Sequence, residues 1–110
     1  MSKSIIPTGN GWLEQYGRRR KNTVAKRDSV THRLKTLPEY FLNVCACRKN
    51  FEIRVDDRDV QTGDTVILME WTPETGYTGA VSRPLRITYV LRNVPQYGLA
   101  EGYCIFCWDN

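Results

Sequence analysis

The sequence predicts an α+β fold that is mainly β: a small, closed or partly open β-barrel with one or two flanking helices. Three observations predict it. Apolar and polar residues alternate across 51–55 and again across 85–91, the period-two pattern of strands with one buried face. Residues 65–71 are apolar on both faces except for Glu70, as expected of a strand in the wall of a closed barrel. Tyr40, Phe41, Val44 and Cys45 recur at three- and four-residue spacing, the stripe of an amphipathic helix.

Taken in order, residues 1–29 read as a basic N-terminal arm and 30–110 as the domain. Pro7, Gly9, Gly11 and Gly17 interrupt any long element in the arm. Its cations Arg18, Arg19, Arg20, Lys21, Lys26 and Arg27 follow Trp12, Leu13 and Tyr16, so it is either a nucleic-acid or acidic-partner arm or a solvated tail. In the domain, Val30, His32 and Leu34 share a strand face opposite Arg33 and Lys35. Thr36 is a candidate cap and Pro38 a first-turn residue for the helix that follows. In the 51–55 strand, Phe51, Ile53 and Val55 are expected to face the core, with Glu52 and Arg54 on the opposite face. Residues 72–79, with two glycines and a proline, read as a long turn or lid. A strand at 85–91, a loop at 93–102 and a strand at 103–108 complete the sheet.

The 110 residues bound the chain to one domain, long enough to bury a core without staples. No apolar run approaches the ~20 residues of a membrane span, and the stretch Ser4-Ile5-Ile6-Pro7 is too short for a signal-peptide core. A cytoplasmic protein, of a bacterium or a phage-infected host cell, is therefore expected, with no membrane partner. The net charge of +4 is uneven: residues 1–29 hold seven Lys or Arg against Glu14 and Asp28, while residues 30–110 hold nine against ten acids. A near-neutral domain can recognise a nucleotide in a pocket but grips long nucleic acid weakly by itself.

Cys45, Cys47, Cys104 and Cys107 supply a C-x-C and a C-x-x-C. The second pair lies in a strand pattern, where residues three apart point to opposite faces, so free thiols are expected rather than zinc ligands. No metal and no cofactor are expected. The segment Asp56-Asp57-Arg58-Asp59 lacks the spacing and final Glu of a calcium loop and reads as a turn in which Arg58 pairs locally.

The candidate chemistry rests on charged strand residues. Arg54 offers a planar fork suited to phosphate or a guanine edge, and Glu52 can accept from an exocyclic amine. Lys49 precedes the strand and can swing to either side. Glu70, a carboxylate in an apolar strand, needs a partner; Lys35, Lys49 and Arg54 are the candidates. It is either a structural ion pair or an acceptor on a cleft floor. His32, the single histidine, reads as a packed, hydrogen-bonded core residue.

The runs Lys49-x-Phe51-Glu52-Ile53-Arg54, Asp57-Arg58-Asp59, Gly63-Asp64 and Glu70-Trp71 carry a resemblance. So do His32-x-Leu34-Lys35, Phe41, Tyr77-Thr78-Gly79, Thr88-Tyr89, Gly98-Leu99 and Gly102-Tyr103. Together they resemble the ASCH branch of the PUA-like domains, and within it a small family from phages and bacteria. The resemblance spans roughly residues 31–108. It implies a compact β-barrel with flanking helices and a cleft for RNA or a nucleotide-like ligand, with His32 at the cleft.

The cleft expected from these readings is lined by His32, Lys35, Lys49, Glu52, Arg54, Arg58 and Glu70, with Thr78 on a lid. One ASCH group resembles this chain over its Lys-x-x-x-x-Arg strand and deacylates a modified cytidine with a lysine, a threonine three residues on and a distant glutamate. Lys49 matches the lysine, but Glu52 stands where the threonine would be, and a carboxylate does not replace that hydroxyl. Lys49, Glu52 and Glu70 are the candidate acid–base groups if the chain is an enzyme. The leading expectation is an RNA- or nucleotide-binding module. A small hydrolase of modified nucleosides or RNA is the second, and a phage-type protein-interaction or inhibitor module the third.

Overall fold

The computed structural model describes residues 27–110. The arm cations Arg18, Arg19, Arg20, Lys21 and Lys26 lie outside the described residues. Among the described residues, six strands form one mixed sheet around one α-helix: β1 (Thr31–Thr36), α1 (Pro38–Cys45), β2 (Phe51–Val55), β3 (Thr65–Thr72), β4 (Gly76–Val81), β5 (Leu85–Arg92) and β6 (Tyr103–Trp108). A short 3₁₀ turn, Pro95–Tyr97, interrupts the 93–102 loop. The sheet runs β1-β3-β5-β6-β2, with β4 hairpinned onto β3. β1 and β3 are parallel and the other pairs antiparallel. The fold is mainly β, as the alternation predicts. The sheet does not close, because its end strands β1 and β2 do not pair with one another.

Leu34 of β1, Val66 and Leu68 of β3, Leu85 and Ile87 of β5, and Cys104, Phe106 and Trp108 of β6 form the core, onto which α1 packs Phe41 and Val44. Tyr40 and Cys45, placed on the same stripe by spacing, are exposed instead. Helix α1 starts at Pro38, whose missing N–H and fixed φ suit the first turn. The residue preceding it is Leu37, which gives no side-chain cap. Thr36, the predicted cap, is buried, and its hydroxyl donates to the Leu34 carbonyl.

Three strand readings need correction. β2 is turned over: Glu52 is 5% exposed, whereas Ile53 is 56% exposed and Phe51 and Val55 are exposed as well. The apolar side chains face outward and the charged ones inward. Period-two alternation identifies two faces but does not say which one meets the core. In β5, Leu85 and Ile87 are buried but Tyr89 is exposed, because a register shift between Ile87 and Tyr89 moves later residues to the other face. The stretch 72–79, read as a long turn or lid, is the turn of the β3–β4 hairpin and the start of its second strand, with Trp71 paired to Tyr77 and Thr72 to Gly76.

Candidate functional site

The two unpaired edges of the open sheet face one another across a groove of about 470 Å³. From β1 and the residue after it the groove is lined by Leu34, Lys35, Thr36 and Leu37, from α1 by Tyr40, from β2 and its turn by Glu52, Ile53, Arg54, Val55, Asp57 and Arg58, and from β6 by Tyr103. The inversion of β2 creates this site. A strand with its apolar side chains turned inward would have filled the gap with Phe51, Ile53 and Val55.

The Glu52 carboxylate sits between two cations. Lys49 donates to it and also donates to the Phe51 carbonyl at 2.6 Å. Arg54 approaches its other oxygen at 3.4 Å and donates to the Lys35 carbonyl across the groove at 3.0 Å. A second arginine bridge runs from Arg58 to the Arg33 carbonyl at 3.4 Å. Arg58 also lies 3.9 Å from Asp57, the local pairing expected of that turn. Arginine side chains thus take the place of a backbone ladder between β1 and β2. The Lys49 ammonium also stands over the Tyr40 and Phe51 rings, at 5.4 and 4.8 Å from their centroids.

Of the predicted cleft residues, Lys35, Glu52, Arg54 and Arg58 line this groove and Lys49 is bonded to it. The other three lie elsewhere. Glu70 accepts a hydrogen bond from the Thr78 hydroxyl at 2.8 Å within the β3–β4 hairpin. Among the described residues it makes no ion pair with Lys35, Lys49 or Arg54: the latter two hold Glu52, and Lys35 lies over the Trp71 ring at 4.5 Å. His32 is buried, as a packed core histidine should be, with its Nε2 at 2.8 Å from Asp64.

Asp64 is the hub that sequence reasoning missed. It is 1% exposed, and it accepts from Arg27 at 2.8 and 3.0 Å, from the Val30 N–H at 3.1 Å and from the Gln61 N–H at 3.0 Å, besides its bond to His32. Gly63, at φ +97°, makes the left-handed turn that delivers this carboxylate. Burial alone would raise the Asp64 pKa, but the bonds from Arg27, His32, Gln61 and Val30 outweigh it and hold the group well below the usual carboxylate range. Arg27, assigned to the arm, is therefore docked on the domain. At the far end of β2, Arg92 grips Asp56 through two bonds of 2.6 and 3.1 Å and the Val60 carbonyl at 2.9 Å. The Arg92 hydrogen bond holds the Asp56 carboxyl low. Together these clusters fix both ends of the 56–64 loop.

Cys104 faces inward and Cys107 outward, as a strand demands, and Cys45 and Cys47 are exposed. Burial, then the neighbouring Asp56 carboxylate, pushes the Cys104 thiol up.

Against known families, the profile described as Domain of unknown function (DUF3850) matches residues 31–107. No curated protein matches the chain. Among the described residues, no helix is long and apolar enough to cross a membrane.

Proposed function

We propose that this chain, which belongs to the DUF3850 family, is a binding module for RNA or a nucleotide-like ligand of the ASCH/PUA-like type, with the ligand held between β1 and β2. One observation carries the reading: the inverted strand β2 aims Glu52 and Arg54 into a groove that could otherwise have been apolar core. Lys35, Arg54 and Arg58 offer cationic donors suited to phosphate, and Arg54 can present its fork bidentately. Glu52 offers an acceptor to an amine or hydroxyl on the ligand. Its negative charge is already balanced by Lys49 and Arg54, so an incoming anion meets no uncompensated carboxylate. Lys49 and Glu52 hydrogen-bond to each other, which suits holding a polar edge, and no hydroxyl stands in place of Glu52 as the deacylating relatives require, so the binding reading is preferred to the hydrolase.

Calorimetric titration of ribonucleoside 5′-monophosphates and a short single-stranded RNA tests this. Arg54→Ala should weaken binding at least tenfold, about 1.4 kcal/mol. Equal affinity in native protein and Arg54→Ala, or no binding of either probe, contradicts the reading.

A further inference from the structure

Ile53 and Val55 line the groove although their side chains point outward, so it is their backbone that faces in. The ladder phase says the same. Trp108 N–H donates to the Asn50 carbonyl, and Asp56 N–H to the Gly102 carbonyl. In the β2–β6 register these two bonds make Glu52–Phe106 and Arg54–Cys104 the hydrogen-bonded pairs. The N–H and C=O groups of Phe51, Ile53 and Val55 therefore point away from β6, toward the groove. Lys49 takes the Phe51 carbonyl and the Asp57 N–H takes the Val55 carbonyl. Among the described residues no group bonds to the Ile53 N–H or C=O. On the opposite wall, the carbonyls of Arg33 and Lys35 are occupied by Arg58 and Arg54.

We infer that the free backbone edge of β2 at Ile53 is a recognition element that reads the edge of a planar heterocycle, a nucleobase, by paired donor and acceptor bonds. This rests on the nucleotide-binding reading above and names what that site recognises. The Ile53 N–H and C=O are neighbours on one strand edge, so they complement a ring edge carrying an adjacent acceptor and donor. The base-pairing edges of adenine, cytosine, guanine and uracil each present one. Lys35, Arg54 and Arg58 then lie on the groove walls for the phosphate. An added peptide strand is the other occupant that a free edge invites. It is disfavoured here, because it would have to expel both arginines from the β1 carbonyls and pack against the inward charges of Glu52 and Arg54, a device that blunts edges.

The test titrates the full chain with the four ribonucleoside 5′-monophosphates, then with the tightest binder methylated on its base-pairing edge. Methylation should weaken binding at least tenfold. Ile53→Pro removes an N–H that the β2–β6 ladder does not use, so an edge strand tolerates it. Ile53→Ala keeps the N–H and should bind at least tenfold tighter than Ile53→Pro. Equal binding by the two variants, or by methylated and parent nucleotides, overturns the inference. If those results come with a loss of binding in Arg54→Ala, the groove reading survives and the backbone readout alone fails. If none of the four nucleotides binds the native chain, both fail. Should circular dichroism show Ile53→Pro unfolded, the Ile53 amide proton of the native chain decides: it should move downfield on nucleotide addition, and an unmoved resonance overturns the inference.

Discussion

Replacing Asp64 with alanine should cost about 3 kcal/mol of stability. The figure follows from the bonds the carboxylate accepts. The substitution strips partners from the His32 ring and from the Val30 and Gln61 N–H groups, and an orphaned donor costs about 1–3 kcal/mol. Only His32 is fully buried, so the lower bound applies to the other two. Arg27 is 37% exposed and recovers hydration, so it adds little. Against a total of about 5–15 kcal/mol this is a large loss. In urea, at about 1–2 kcal/mol per molar for a domain this small, the midpoint should fall by roughly 2 M with the slope unchanged. The effect also depends on pH. The Asp64 pKa is depressed in the folded state, so its contribution is complete above the unfolded value of about 3.9 and is lost as pH falls further. The gap between native protein and Asp64→Ala should narrow as pH is lowered from 5 toward 2. A midpoint shift below about 0.5 M at pH 7, or a gap that widens in acid, refutes the hub.

Other outcomes follow from the same geometry. Ile53→Thr should change stability by less than about 0.5 kcal/mol in thermal melts, because the side chain is outside, whereas a core isoleucine would cost well over 1 kcal/mol. Arg92→Ala should destabilise by about 2 kcal/mol in urea, since it frees the half-buried Asp56 carboxylate and the Val60 carbonyl. A thiol-disulfide reagent at pH 8 should label Cys45 and Cys47 within minutes and Cys104 only on unfolding, as read by peptide mass. Deleting residues 1–26 should flatten the salt dependence of RNA binding, because it removes six cations, and leave mononucleotide affinity within threefold, because the described groove residues are all retained.

Much of the fold was legible. The helix, five of the six described strands, the shared face of His32 and Leu34 and the inward pair Phe41 and Val44 follow from spacing and composition. The facing of β2 was not, because alternation is symmetric: 51–55 reads the same whether Phe51 or Glu52 points in. Here β2 ends an open sheet, so its inner face borders the groove, and burial no longer selects the apolar set. The register shift in β5 left one trace, Val90, which breaks the Leu85, Ile87, Tyr89, Leu91 alternation and packs against the core. β4 was hidden by its glycines, which read as turn. At the site, the Lys49–Arg54 run announced itself through local charge, and four of the eight predicted cleft residues line the groove. Asp64 gave no local signal beyond a Gly-Asp turn, because Arg27 and His32 lie 37 and 32 residues away. Tyr40 lines the groove although its helical spacing assigned it to the core.

The most direct test is a crystal structure of the full chain grown with a ribonucleoside 5′-monophosphate. Density for the nucleotide should lie between β1 and β2, within hydrogen-bond distance of Arg54 and Lys35, with Glu52 still turned inward. Nucleotide bound at any other surface, or β2 with Phe51, Ile53 and Val55 packed into the core, would contradict the account.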